Sequence, residues 1–391
     1  MTRTRLILQA AAIAGGWVPL SIAAGQSVAL RLDDLTASTA TYSLIVAAGW
    51  AVSMLSLPLM GHVTDIAVGR GVDRRILIII GGIAMLACFA LLGAVASIAA
   101  FALVWLLAQI PTSLIVTTAS SRLANEAPVD ARGWASTAAG VAPVIALTIG
   151  AITTLALSNV PSALFIAPAI VGAALLIPSL VMRPLATIHE EPGRSGRTLG
   201  ARLYPWTLLV AIALAFSGLA VGRIYLVPLI ESVSVDTTDA EVTALASTTL
   251  LVATLGAVLG TVVAGRLMRR GERALATFGW FSLASALPLT ALALVGSVGQ
   301  VVAVGLLLGI AIGAINAAAY GIYLHRYSHR SDSGRILGSI ISAETVPYVI
   351  VPLAAAIWQS TADSSLISLL FGIGALLAIA ASILTAARAR N

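Results

Sequence analysis

Two ionisable residues stand inside stretches that are otherwise apolar: Glu344, in the run from 336 to 358, and Arg223, in the run from 204 to 230. A charge at the centre of a bilayer costs roughly 2.5–3.5 kcal/mol on insertion scales, so a side chain kept there faces protein or a water-filled cavity. Glu344 therefore reads as a proton site, neutralised by a proton or by Arg223, or else as half of a structural salt bridge with Arg223. An anionic substrate held by Arg223 is a third reading of the same pair.

A second constellation lies near a helix end. Gly61-His-Val-Thr-Asp65 is followed by Arg70-Gly71-Val-Asp73-Arg74-Arg75. A carboxylate beside arginines can hold two bodies together by charge-assisted bonds that break on switching. Gly61 and Gly71 would let backbones approach closely. The plain alternative is a solvated basic loop. The spacing of His325 and His329 would suit a metal on one helical face, but no acid or cysteine completes the ligand set, so no metal is expected. There is no phosphate-binding loop with its lysine, so neither ATP nor any other cofactor is expected. Nucleophiles and bases do not converge at any one depth, which argues against an enzyme.

The elements that must position these residues follow from composition. Of 391 residues 59% are hydrophobic and only 10% charged, against about 25% charged in a soluble domain. Mean hydropathy is +1.02. A spanning helix needs roughly 20 apolar residues. Such runs fall at 6–30, 41–64, 76–97, 99–121, 134–157 and 161–182, then at 204–230, 241–264, 275–296, 298–324, 336–358 and 364–386. The first run is too long for a signal-peptide core and reads as a span. The fold class expected is thus an all-α membrane protein of about twelve transmembrane helices. Its parts are a bundle over 1–182, a polar linker over 183–203 and a second bundle over 204–391.

Every basic residue apart from histidine is arginine, and all but Arg31 and Arg223 fall on one side of this topology. Asp33, Asp34, Glu231, Asp236, Asp239, Glu241 and Asp363 fall on the other. Basic loops are retained in the cytoplasm, so both termini are expected inside, in a bacterial inner membrane. The formal charge of +6 has no soluble domain to carry it, which excludes a nucleic-acid partner in favour of membrane lipids. Cys88 is the single cysteine, so no intramolecular disulfide can form. The halves echo each other: Gly61 to Arg75 is matched by Gly260 to Arg273, and Arg132-Gly133 by Gly334-Arg335. Such repeats are what transporters rock against one another.

These loops resemble those of the major facilitator superfamily, whose signature between helices 2 and 3 is a Gly, an Asp four residues later and a Gly-Arg-Arg cluster. Gly61 and Asp65 fit, and the arginine pair comes later, at 74 and 75. That longer spacing, with Ala127-Pro128-Val-Asp130-Ala-Arg132-Gly133 and Asn316 to Tyr320 through Gly334-Arg335 to Pro347, is similar to the glycoside-pentoside-hexuronide and sucrose-type symporters.

The resemblance implies two pseudo-symmetric six-helix bundles and a secondary transporter of a small molecule, coupled to protons or another cation, for which a monomer suffices. It also implies that helices 7 and 11 are neighbours, which would bring Arg223 within reach of Glu344 across about 13 Å of depth at roughly 1.5 Å per residue. Cavity residues would come from helices 1, 4, 7 and 10, which names Gln26, Gln109, Ser113, Asn316, Tyr320 and Tyr323 as candidates. Each of these can equally bond a neighbouring helix. Helices 1 to 6 are expected to contain no buried acid at all, unlike those sugar symporters. Efflux of an amphipathic compound is therefore set slightly ahead of sugar import, and a membrane sensor that no longer transports is the reading from another class.

Overall fold

The computed structural model describes residues 3–22, 27–35, 37–157, 163–182, 206–224, 226–233, 239–268, 273–328, 330–358 and 364–389. These form helices α1 (Arg3–Ile22), α2 (Val28–Asp34), α3 (Thr39–Gly69), α4 (Arg74–Ala94), α5 (Ile98–Glu126), α6 (Arg132–Leu157) and α7 (Ala163–Val181). They continue as α8 (Trp206–Ile224), α9 (Leu226–Val233), α10 (Asp239–Leu267), α11 (Ala274–Leu292), α12 (Val298–Arg326), α13 (Ser333–Trp358) and α14 (Ser364–Ala389). The expected linker, 183–203, lies outside the described residues.

Ten of these helices are long and apolar enough to cross a membrane. The run expected as the first span holds α1 and the start of α2, and the run expected as the seventh holds α8 and α9; residues 23–26 and 225, which lie between them, are outside the described residues. Leu55, Ile83, Leu103, Leu255, Leu287 and Leu376 are exposed on the outer faces. In water such a belt would be unstable; against lipid tails it is the expected surface. The protein is a multi-pass membrane protein.

Without a hydrophobic force between helices in lipid, close packing depends on small residues. Between α10 and α12, methyl groups at Gly256, Gly260, Gly309 and Gly313 would run into the carbonyls of Leu306, Ile310, Ala253 and Ala257. Thr261 Oγ1 reaches both the Ala257 and Gly313 carbonyls, at 2.7 and 3.1 Å. Helices α1 to α7 meet helices α8 to α14 chiefly where α3 packs on α13 and where α6 packs on α10 and α12. Any site shared by the two sets of helices is framed by those contacts.

Candidate functional site

The α3–α13 contact is an antiparallel seam, and its residues follow one face of each helix. At the end that carries the arginine-rich loops, Asp65 Oδ1 accepts the Gly334 N–H and Oδ2 accepts the Arg335 N–H, each at 2.9 Å. The first N–H groups of a helix have no partner of their own and carry its positive dipole end. Asp65 therefore caps α13 from a different helix in the other half of the chain. A cap of this kind contributes about 1 kcal/mol, with a further 0.3–1 kcal/mol or so from the charge at the dipole. The approach requires glycine: a methyl group on Gly61 would overlap the Gly334 carbonyl, and one on Gly334 would lie 2.6 Å from Asp65 Oδ1.

Higher along the seam, Ser342 Oγ donates to the Met54 carbonyl at 2.7 Å. That acceptor is free because the residue four positions on is Pro58, which has no N–H to return. Above it, Trp50 stacks on Tyr348 with ring centroids 5.0 Å apart and planes 29° apart. None of these contacts across the seam can be read from spacing along the chain. The proline at 58 was the only signal that a carbonyl in α3 needed a donor from outside.

The loop arginines separate into different environments. Arg70 is exposed, at the end of α3, and Gly71 makes the turn with φ of 84°. Arg75 pairs with Asp73 of its own loop at 3.7 Å, and Asp73 caps α4 by accepting the Arg75 N–H. Arg74 alone turns inward. Asn125 takes the orientation in which its Oδ1 accepts from Arg74 Nη2 at 2.6 Å and its Nδ2 donates to the Ser328 carbonyl at 2.8 Å. That orientation again joins the two halves.

Tyr323, expected beside a substrate, is fully buried at this same end, where Asp65, Arg74 and Asp332 act on its hydroxyl. Asp332 itself, in the loop before α13, is bonded by Arg330 at 2.8 Å and lies 3.4 Å from Arg335. Burial pushes its carboxyl up, but the hydrogen bond and charge of Arg330, with Arg335, outweigh this and hold it below the ordinary range.

The expectation that helices 1 to 6 hold no buried acid is corrected by α5. This helix continues past the predicted end at 121 to Glu126, which is 4% exposed. Glu126 Oε2 accepts from Arg5 Nη2 at 2.8 Å and Gln9 Nε2 at 2.7 Å, and Oε1 accepts from Arg122 Nε at 2.9 Å. Arg122 is completed by Ser179 Oγ at 3.0 Å, the Ser179 carbonyl and the Met182 carbonyl. Apolar counting ended the span where the charges began. The i,i+4 spacing of Arg122 and Glu126 was the signal that the helix continued. A buried acid with two arginines, a glutamine and neutral acceptors around it is satisfied, so this cluster ties α1, α5 and α7 into one body.

Glu344, by contrast, is 8% exposed and its Oε1 has no hydrogen-bond partner. Tyr320 is buried on α12. Asn316 is buried one turn before Tyr320. On α5, Gln109 and Ser113 are buried; Gln109 Nε2 donates to the Trp105 carbonyl at 3.3 Å, while its Oε1 and Ser113 Oγ have no partner. Gln26 and the side chain of Arg223 lie outside those described, so the expected pairing of Arg223 with Glu344 does too.

The sequence matches the family model for the Major Facilitator Superfamily over residues 6–352. No curated protein matches it. Among solved structures, the fold is similar to the crystal structure of the human organic anion transporter MFSD10 (TETRAN), with a TM-score of 0.74 at 15% identity. The alignment covers 98% of this chain and 100% of that one. At that identity the likeness is one of fold.

Proposed function

Because the chain belongs to the Major Facilitator Superfamily, we propose that it is a secondary active transporter of a small organic molecule, working by alternating access with a proton carried at Glu344. The observation that carries this reading is the contrast between its two deeply buried glutamates. Glu126 is bonded on both oxygens by arginine and glutamine, as a structural charge would be, whereas Glu344 keeps an oxygen unpaired. An ionised group so placed is costly to hold. It becomes useful if its charge changes during a cycle.

The halves that rock are 1–182 and 204–391, joined by the linker 183–203. Their contact through Asp65, Gly61, Gly334 and Asn125 is the gate to the cytoplasm, the side on which the arginine-rich loops place both termini. Movement of one charge against the membrane potential supplies about 2.3 kcal/mol per 100 mV. That is comparable with the one or two kilocalories by which the Asp65 cap holds the gate.

Efflux of an amphipathic compound is the direction we favour. The loops that resemble the sugar symporters contribute Asp65, Gly334 and Arg335, which the gate uses among themselves. They support gating and say nothing of sugar.

The test is purified protein in proteoliposomes with an internal pH dye, offered sugars and cationic, neutral and anionic amphipaths, beside a Glu344→Gln variant. Proton flux driven by one class of compound and lost in the variant is the expected result. Substrate flux unchanged in the variant would make Glu344 structural, and silence across every class would favour a sensor.

A further inference from the structure

The surroundings of Glu344 bear on what it binds. One helical turn along α13, on the same face, Tyr348 stacks on Trp50 of α3, and both rings are only partly buried. On α12, Tyr320 and Asn316 are buried. An aromatic pair that joins the two halves thus sits one turn from the acid, and a buried tyrosine stands on α12, which touches α13. Among the described side chains, none makes an ion pair with Glu344. Asp65, Glu126 and Asp332, in contrast, are each held by N–H donors of the protein at the basic end.

A carboxylate repels an anion, and the faces of aromatic rings carry partial negative charge, so they repel it too. A positive ligand is attracted by both, through charge on the acid and cation–π contact on the rings. An apolar body on that ligand would gain hydrophobic contact with the same rings. We propose that the Glu344 site takes an organic cation with a bulky or flat apolar body, an amphipathic amine or quaternary onium, in preference to an organic anion or a sugar. The proposal rests on the transporter reading and names the substrate class of that same site. The aromatic pair has a second consequence here. Trp50 and Tyr348 belong to opposite halves, so a ligand that inserts between them acts on the seam directly.

Two rigid ions of nearly identical shape and opposite charge separate the alternatives: tetraphenylphosphonium and tetraphenylborate. Their binding is measured by equilibrium dialysis on protein in lipid nanodiscs, with empty nanodiscs subtracted to remove partition into lipid. The phosphonium should bind saturably and the borate should not. Affinity for the phosphonium should fall at least tenfold in Glu344→Gln and about tenfold in Trp50→Ala, and Trp50→Phe should restore most of it. The thermal midpoint of each variant reports whether it is folded, and Tyr348→Phe provides a milder probe of the same stack.

Borate binding equal to or tighter than phosphonium binding overturns the proposal. So does an unchanged phosphonium affinity in folded Glu344→Gln, or no saturable binding of either ion. Flux of an anion or sugar without phosphonium binding would sink the cation assignment and leave the transporter reading standing. Saturable phosphonium binding without flux or counterflow of any solute would do the reverse.

Discussion

Asp65 accepts the backbone N–H of Gly334 at 2.9 Å, so a carboxylate in one half of the chain terminates a helix in the other. The second oxygen takes the next N–H, of Arg335, at the same distance. Asp65→Asn has one acceptor where two are used, and its amide N–H₂ would face a donor. We expect loss of about 1–3 kcal/mol from the closed arrangement, hence a shift in the gate equilibrium of roughly 5- to 150-fold. Reaction of a thiol placed at Ser120, which is 3% exposed beneath the gate, reads this shift. The background is Cys88→Ser, and the thiol reagent is one that cannot cross the membrane. An unchanged rate would remove Asp65 from the gate.

Gly61→Ala should act through shape alone. The added methyl meets the Gly334 backbone, which cannot yield as a flexible side chain would, whereas a methyl on Gly69 meets nothing within 4 Å. The first substitution should force the halves apart and increase the same thiol reactivity. Gly69→Ala should leave both reactivity and stability within about 0.5 kcal/mol of the parent. Equal behaviour of the two variants would contradict the seam.

Glu126→Gln should be the most damaging of these changes to stability. It leaves Arg122, 3% exposed, with neutral acceptors only, and breaking a buried pair from one side costs about 3–5 kcal/mol. The paired change Arg122→Met with Glu126→Leu removes both charges and should recover much of the loss. Thermal midpoints in detergent decide it: a double variant worse than the single would mean that the charges themselves, rather than their balance, hold α1, α5 and α7 together.

Glu344→Gln should behave in the opposite way. Its carboxylate oxygen has no partner to lose, so the thermal midpoint should stay level or rise while proton-linked flux disappears. A large fall in midpoint would show a structural role.

The charges before α13 predict a pH effect with a definite sign. The carboxyl of Asp332 is held below its ordinary 3.8 by Arg330 and Arg335, so it stabilises the folded form above that value and the contribution is lost as pH falls through the depressed one. The difference in midpoint between the parent and Asp332→Asn should therefore be flat from pH 8 to about pH 5 and shrink below about pH 4. A difference that grew on acidification would reverse the assignment.

The apolar runs made the spanning helices legible, because lipid demands about 20 such residues from each. The same counting lost Glu126: charge within a window reads as loop, although Arg5, Gln9 and Arg122 make an interior for it that no linear window contains. Asp65 could be picked out by its place after Gly61, but its partner is a pair of backbone N–H groups 269 and 270 residues away, which have no side-chain identity to match. Tyr323 was placed by helix number and belongs by depth to the gate. Glu344 stood out because its isolation is a property of the sequence as well as of the fold.

Pro58 leaves the Met54 carbonyl without a helical donor, and Ser342 fills that vacancy from across the seam. In the proposed cycle, once the halves separate, the carbonyl has no i+4 donor in its own helix, and lipid offers none. Water must therefore enter at that level as the helices part. Opening the seam is thus also a wetting step, and the hydroxyl that the water replaces belongs to a residue only two positions from Glu344. In the proposed cycle, the serine that leaves the Met54 carbonyl and the acid proposed to carry the proton therefore lie on the same stretch of α13.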